Sequence, residues 1–137
     1  MCSKVIDKEN EIYTILRNAI IEKYPNVSVS SVYLRTPPHF PYVSIIQTDS
    51  YEPNKYVDSS NKELFTTMVF QIDVYSDDDA RKKTICKGIM QTIDTTLRAM
   101  NFRREVLSAV PNMADSTIYR LTARYKVLAD ENGFYGV

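Results

Sequence analysis

The chain has 137 residues with 17 Lys plus Arg against 17 Asp plus Glu, so its formal net charge is zero. That length suits one domain able to bury a core without metals or cross-links. Neutrality excludes the long-range attraction to nucleic acid or anionic membranes that a basic chain carries, and it favours self-association. The two cysteines, Cys2 and Cys86, belong to no C-x-x-C pair. Their placement argues for a reduced protein with one buried thiol, without a disulfide framework or zinc site. No stretch has the apolar length of a membrane span, and the N-terminus lacks a signal-peptide run. The expectation is a soluble protein of a cytoplasm.

Val5 to Tyr24 carries Ile12, Ile15, Leu16, Ala19, Ile20 and Tyr24 at helical spacing, with charges between them. This predicts an amphipathic helix that Pro25 ends. Val27 to Leu34 predicts a short or bulged strand, followed by a stiff connector from Thr36 to Pro41. Tyr42 to Thr48 predicts a strand covered on both faces. Asp49 to Lys62 is the one long polar segment, expected as a hairpin tip of the length at which loops carry function.

The span from Glu63 to Leu128 has almost no spare loop. Leu64 to Ser76 alternates, with Met68, Phe70, Ile72 and Val74 on one face and Thr67, Val69, Gln71, Asp73 and Tyr75 on the other. Ser76 with Asp77, Asp78 and Asp79 is expected to cap a helix running to Asn101. The predicted buried stripe of that helix is Ile85, Ile89, Ile93, Leu97 and Met100, joined by Cys86 and Met90. Asn101 suits a left-handed cap, and Gly88 inside the helix implies close packing by a neighbour. Strands follow over Phe102 to Val110 and Ser116 to Leu128. In the latter, Tyr119, Leu121, Ala123, Tyr125 and Val127 face the core, and Arg120, Thr122, Arg124 and Lys126 face away. The tail Asp130 to Val137, with two glycines, is expected to be loosely held. The fold class is α/β in the α+β sense: a predominantly antiparallel or mixed sheet of about five strands with two helices packed on one face.

Chemistry is sparse. His39, the single histidine, sits among prolines, and nothing points to the carboxylate and nucleophile that a triad needs. Asp77, Asp78 and Asp79 supply oxygen ligands, but they lack the alternation and glycine of a calcium loop, and helix-start electrostatics explains them. Arg120, Arg124 and Lys126, with Arg103 and Arg104, form the best basic patch. Among so many tyrosines it admits single-stranded nucleic acid. Pairing with Asp73 and Glu105 across strands, or subunit contact, explains it better. No phosphate loop or nucleophile elbow occurs, so the reading is of a non-enzyme.

Several segments together resemble the tail terminator (tail completion) proteins of long-tailed bacteriophages. They are Phe40-Pro41-Tyr42-Val43, Phe70 through Ser76, Asn101-Phe102-Arg103-Arg104, Pro111-Asn112, and Ile118-Tyr119-Arg120 through Arg124-Tyr125. The similarity runs from about Val5 to Val127, and other head-tail connector and minor capsid proteins share much of it. The resemblance implies a structural virion protein in a homo-hexameric ring. Such a ring caps the tail tube, stops its polymerisation and joins the tail to the head connector. It is assembled in the host bacterial cytoplasm and resides in the tail or neck of a phage or phage-derived particle. The implied partners are other copies of the chain, the tail tube protein and the neck proteins. DNA passes through the lumen, with no membrane, no cofactor and no sequence-specific nucleic acid.

Candidate contact residues fall in two groups. The long loop offers Tyr51, Asn54, Lys55, Tyr56, Asp58 and Lys62, whose tyrosines are amphipathic anchors. The sheet offers Asp73, Arg104, Arg120, Arg124 and Lys126. The alternative function is another head-tail connector or minor capsid component, or a nucleic-acid-binding module built on Arg120, Arg124 and Lys126.

Overall fold

The computed structural model describes residues 8–32, 39–51, 66–78, 80–110, 117–130 and 132–136. In chain order the elements are α1 (Glu9–Lys23), β1 (Ser28–Ser30), β2 (Tyr42–Tyr51), β3 (Thr66–Ser76), α2 (Lys82–Ala99), β4 (Arg103–Ala109), β5 (Tyr119–Ala129) and β6 (Phe134–Tyr135). The sheet runs β1-β2-β3-β5-β4, with β6 paired to β5. Among the described residues the β1–β2 pair is parallel and the other pairs are antiparallel. The expected α+β arrangement, a mixed sheet with two helices on one face, is what the chain adopts.

The core lies between sheet and helices. Met68, Phe70, Ile72 and Val74 of β3, and Ala123, Tyr125 and Val127 of β5, meet Ile12, Leu16 and Ile20 of α1 and Cys86, Ile89, Met90, Ile93 and Leu97 of α2. Both alternating strands turn the expected faces inward, because a period of two leaves one consistent choice once one face is apolar. The α2 stripe is rotated slightly from the expectation. Ile85 and Met100 are only partly buried, while Thr92 and Asp94 are buried.

Local chemistry accounts for the helix ends. Ser76 remains in β3 and does not cap the helix. No side chain caps it; Asp78 holds the preceding turn through Oδ1, which accepts from the N–H groups of Ala80 at 3.1 Å and Arg81 at 3.0 Å. The helix therefore opens at Lys82, later than the acidic run suggested, because the Asp78 carboxylate satisfies amides of the turn ahead of it. At the far end Asn101 adopts φ 71°, the left-handed conformation expected of it. Its side-chain amide donates to the Phe134 carbonyl at 2.9 Å. Gly88 is closely approached, as expected: a Cβ there would stand 2.7 Å from the Tyr24 hydroxyl.

The tail corrects another expectation. Rather than hanging loose, Phe134 and Tyr135 pair with Ala129 and Leu128, and Phe134 lies against Phe102 with ring centroids 5.8 Å apart. Asp130 closes the turn by accepting from the amides of Asn132 and Gly133, both at 2.8 Å. A short polar turn followed by aromatic residues is enough to add a sixth strand.

Candidate functional site

The sequence placed five candidate contacts on the sheet, most of them on the face away from the helices. That face is less open than its polar residues suggested. Register places Tyr42 opposite Tyr75 and Ser44 opposite Asp73, and Asp73 opposite Thr122 with Tyr75 opposite Arg120. Tyr42, Tyr75 and Ile118 form a small second core, with Phe40 against it. Tyr42 and Ser44 both donate their hydroxyls to the Val32 carbonyl, at 3.0 and 3.2 Å.

Asp73 is fully buried beneath this face. Arg120 reaches its Oδ1 at 3.1 Å through both Nε and NH2, and the Thr122 hydroxyl donates to the same oxygen. A buried carboxylate needs such partners. Asp73 thus has no surface to offer a partner subunit, and Arg120 is committed within the chain. Arg124 and Lys126 remain as candidates. Arg124 touches Gln71 at 3.5 Å, and the Lys126 ammonium stands 5.9 Å from the ring centroid of Tyr51. The Asp73 pairing expected across strands is formed with Arg120, whereas Glu105 is exposed at a bulge in β4.

That bulge splits the expected basic patch. Arg103 lies opposite Lys126 and shares its face, but Arg104 lies opposite Tyr125 and turns toward the helices. With Glu105 as the extra residue, Val106 lies opposite Arg124 and Leu107 opposite Ala123. One inserted residue reverses the alternation, so every side chain beyond it changes face.

On the helix side Arg104 meets an acid that sequence reading had not singled out. Asp94 of α2 accepts from the Tyr125 hydroxyl at 2.6 Å and from Arg98 Nε at 2.8 Å, with Arg104 at 3.5 Å. Burial would raise the Asp94 pKa, but the Tyr125 hydroxyl and the two guanidiniums outweigh it and hold the carboxyl below the usual range. Burial, then the Asp94 carboxylate, pushes the Tyr125 hydroxyl up. The signal available in sequence was Asp94 four residues before Arg98, a helical ion-pair spacing. This group lies in a hollow of about 260 Å³ between α2 and β4, bordered by Lys87, Met90 and Leu107. Its polar atoms satisfy one another, which is the arrangement of a structural tie rather than a reactive centre.

The remaining candidates carry little chemistry. Burial pushes the Cys86 thiol up to about 12, so the thiolate, the reactive form, is scarce near neutrality. His39 is exposed. Among the described residues no three His, Cys, Asp or Glu side chains are grouped to hold a metal, and no helix is long and apolar enough to cross a membrane. Asn54, Lys55, Tyr56, Asp58 and Lys62 lie outside the described residues, as does Asp79; Tyr51, at the end of β2, is 46% exposed.

On edge strand β4, Val106 and Leu107 are 48% and 42% exposed. Val32, 57% exposed, lies over the helix-free face, where its carbonyl meets the Tyr42 and Ser44 hydroxyls. No family model matches the chain, and no curated protein matches it.

Proposed function

We propose that this chain is a structural virion subunit of the tail terminator kind, forming a ring that caps the tail tube, stops its growth and joins it to the head connector. One observation carries the reading beyond the sequence resemblance. The described sheet ends on β1 at one side and β4 at the other, and these are two unlike edges, β4 exposing Val106 and Leu107 and β1 carrying Ser28, Val29 and Ser30. A subunit that builds a ring must present two different surfaces, one to each neighbour, and close the cycle. The segments that carry the resemblance fall on elements that shape this frame. Phe70 through Ser76 lies in β3, Asn101 to Arg104 makes the turn from α2 into β4, and Tyr119 to Tyr125 lies in β5. No catalytic role is assigned to any residue.

The experiment has two parts. Light scattering and electron microscopy of the purified chain are expected to find a closed oligomer. Adding it to polymerising tube protein from the same particle is expected to shorten the tubes. A monomer at all concentrations, with tubes of unchanged length, overturns the proposal.

A second reading, nucleic-acid binding, has one observation in its favour. Arg103, Lys126 and Arg124 share the helix-free face, with Tyr51 beside Lys126. The commitment of Arg120 to Asp73 removes one of the three residues on which that reading was built.

A further inference from the structure

We infer that the outer edge of β4, with the hollow between β4 and α2 beside it, is a docking groove for an extended segment of another protein. That segment alternates apolar and acidic residues and joins the sheet as a further strand. This goes beyond the ring reading and does not require it, since it concerns what completes the edge of a single subunit.

The backbone of β4 is open to a strand. Val110 donates its N–H to the Arg120 carbonyl at 2.9 Å, and Leu107, Ser108 and Ala109 lie opposite Ala123, Thr122 and Leu121. Residues of an antiparallel pair alternate between bonding the partner strand and facing away. Ser108 and Val110 therefore bond β5, while Leu107 and Ala109 direct their N–H and C=O groups outward. On that side β4 is the last strand of the described sheet. Natural edges are guarded by charge, proline or a bulge. The bulge at Glu105 guards the first half of β4, but Val106 through Ala109 has none of these and is exposed at every residue. An edge of this kind takes an extended peptide through main-chain hydrogen bonds, and the side chains around it set which peptide.

The two faces of the edge ask for different side chains. Leu107 and Ala109 turn toward the helices, where Met90, Leu107 and Leu121 give apolar walls to the hollow of about 260 Å³. An apolar side chain of the incoming strand, placed opposite Leu107, enters that space. Its neighbours in sequence point to the other face, beside Val106 and Ser108. Exposed Arg103 and Arg124 stand there, Arg124 opposite Val106 and Arg103 ahead of it on the same face. Neither has a carboxylate partner among the described residues, and Arg124 has only Gln71 at 3.5 Å. Lys87 is exposed at the rim of the hollow, so cations outnumber Glu105 around this edge. In a chain of zero net charge this local excess favours an acidic segment. It disfavours pairing β4 with the β4 of a second copy, which would set the same cations against one another.

The experiment measures binding of a fluorescein-labelled peptide, blocked at both ends and about six residues long, an ordinary strand length, in which valine and glutamate alternate. Fluorescence anisotropy with the full chain is expected to show saturable binding. Methylating every amide nitrogen of the peptide should weaken it about tenfold or more, because its main-chain donors are gone. Ala109→Pro deletes a donor that faces away from β5, a position where an edge strand accepts proline, and should weaken binding to a similar degree. Arg103→Glu with Arg124→Glu should reverse the preference, so that a peptide alternating valine and lysine binds better than its glutamate counterpart. Each variant is checked for the parent's melting transition; if Ala109→Pro fails to fold, the methylated peptide and the charge reversal carry the test. No saturable binding at millimolar peptide, binding indifferent to methylation, or a preference that does not reverse overturns the proposal. Light scattering on the same samples separates it from the ring reading. An oligomer that Ala109→Pro dissolves and that takes up no peptide gives the edge to a second copy and overturns the segment alone. Rings that bind the peptide support both, and a parent that binds it while monomeric at every concentration overturns the ring reading alone.

Discussion

Tyr125, in the middle of β5, donates its hydroxyl to Oδ1 of Asp94 on α2 across 2.6 Å. Both residues are buried, and Arg98 and Arg104 approach the same carboxylate from α2 and β4. One acid therefore ties three elements together at the side of the sheet where β4 has least helix above it. A satisfied polar group of this kind specifies how α2 sits on the sheet in a way that apolar packing alone does not.

Removing the acid should be costly. Asp94→Ala strands the buried Tyr125 hydroxyl and leaves two partly exposed guanidiniums to water, and a loss of about 1–3 kcal/mol is expected, the desolvation cost of a buried group left unpaired. Tyr125→Phe should cost less. In a double-mutant cycle the two changes should be less than additive, measured by urea unfolding.

The same acid predicts a pH dependence. The folded-state pKa of Asp94 lies below its ordinary value, so the unfolded chain takes up the proton first. The stabilisation is complete above the ordinary Asp value of about 3.9 and is lost as pH falls through the lower folded value. Asp94→Asn should flatten this acid limb in unfolding curves between roughly pH 2 and 6. An unchanged limb would assign the acid sensitivity to other carboxylates.

Two arginines on one strand should behave differently. Arg120→Ala leaves the Asp73 carboxylate buried with the neutral donors Thr122 and Gln71 but no cation, and about 3 kcal/mol of stability should go with it. Arg124→Ala, at an exposed position touching Gln71 at 3.5 Å, should change stability by less than about 0.5 kcal/mol. Binding of generic DNA at about 150 mM salt should be weak for the parent, as expected of a neutral chain. Submicromolar affinity lost on Arg124→Ala plus Lys126→Ala would favour the nucleic-acid reading.

Ile89 and Ile93 are fully buried on α2. Ile89→Asp or Ile93→Asp buries a charge with no partner, at a cost of several kcal/mol, and should leave the chain unfolded in circular dichroism. A soluble variant with the parent's melting temperature would contradict this placement of the core.

Gly88→Ala sets helix propensity against a contact. Alanine is favoured over glycine by about 0.8–1.0 kcal/mol inside a helix, but its Cβ would press on the Tyr24 hydroxyl at 2.7 Å. That hydroxyl is the far end of a movable ring, so Gly88→Ala should be nearly neutral alone. Combined with Tyr24→Phe it should recover most of the propensity gain, read as a rise in Tm.

The sequence by itself determined the two helices, the inward faces of β3 and β5, the left-handed turn at Asn101 and the close approach to Gly88. Each follows from a local rule: a period of 3.6 or 2, or the conformational freedom of a single residue type. Tertiary structure decided what depends on partners distant in the chain. Asp73 and Arg120 are 47 residues apart, and only strand pairing reveals that the acid is buried and the arginine spent on it. Arg104 changes role because β4 pairs with β5 through a bulge, and no alternation within Arg103–Ala109 marks the residue to be skipped. Asp94 is unremarkable on its helix until Tyr125 is brought over it, 31 residues later. The edge strands β1 and β4 are likewise invisible along the chain. Which strands end a sheet is a property of strand order, and order is chosen by the core as a whole.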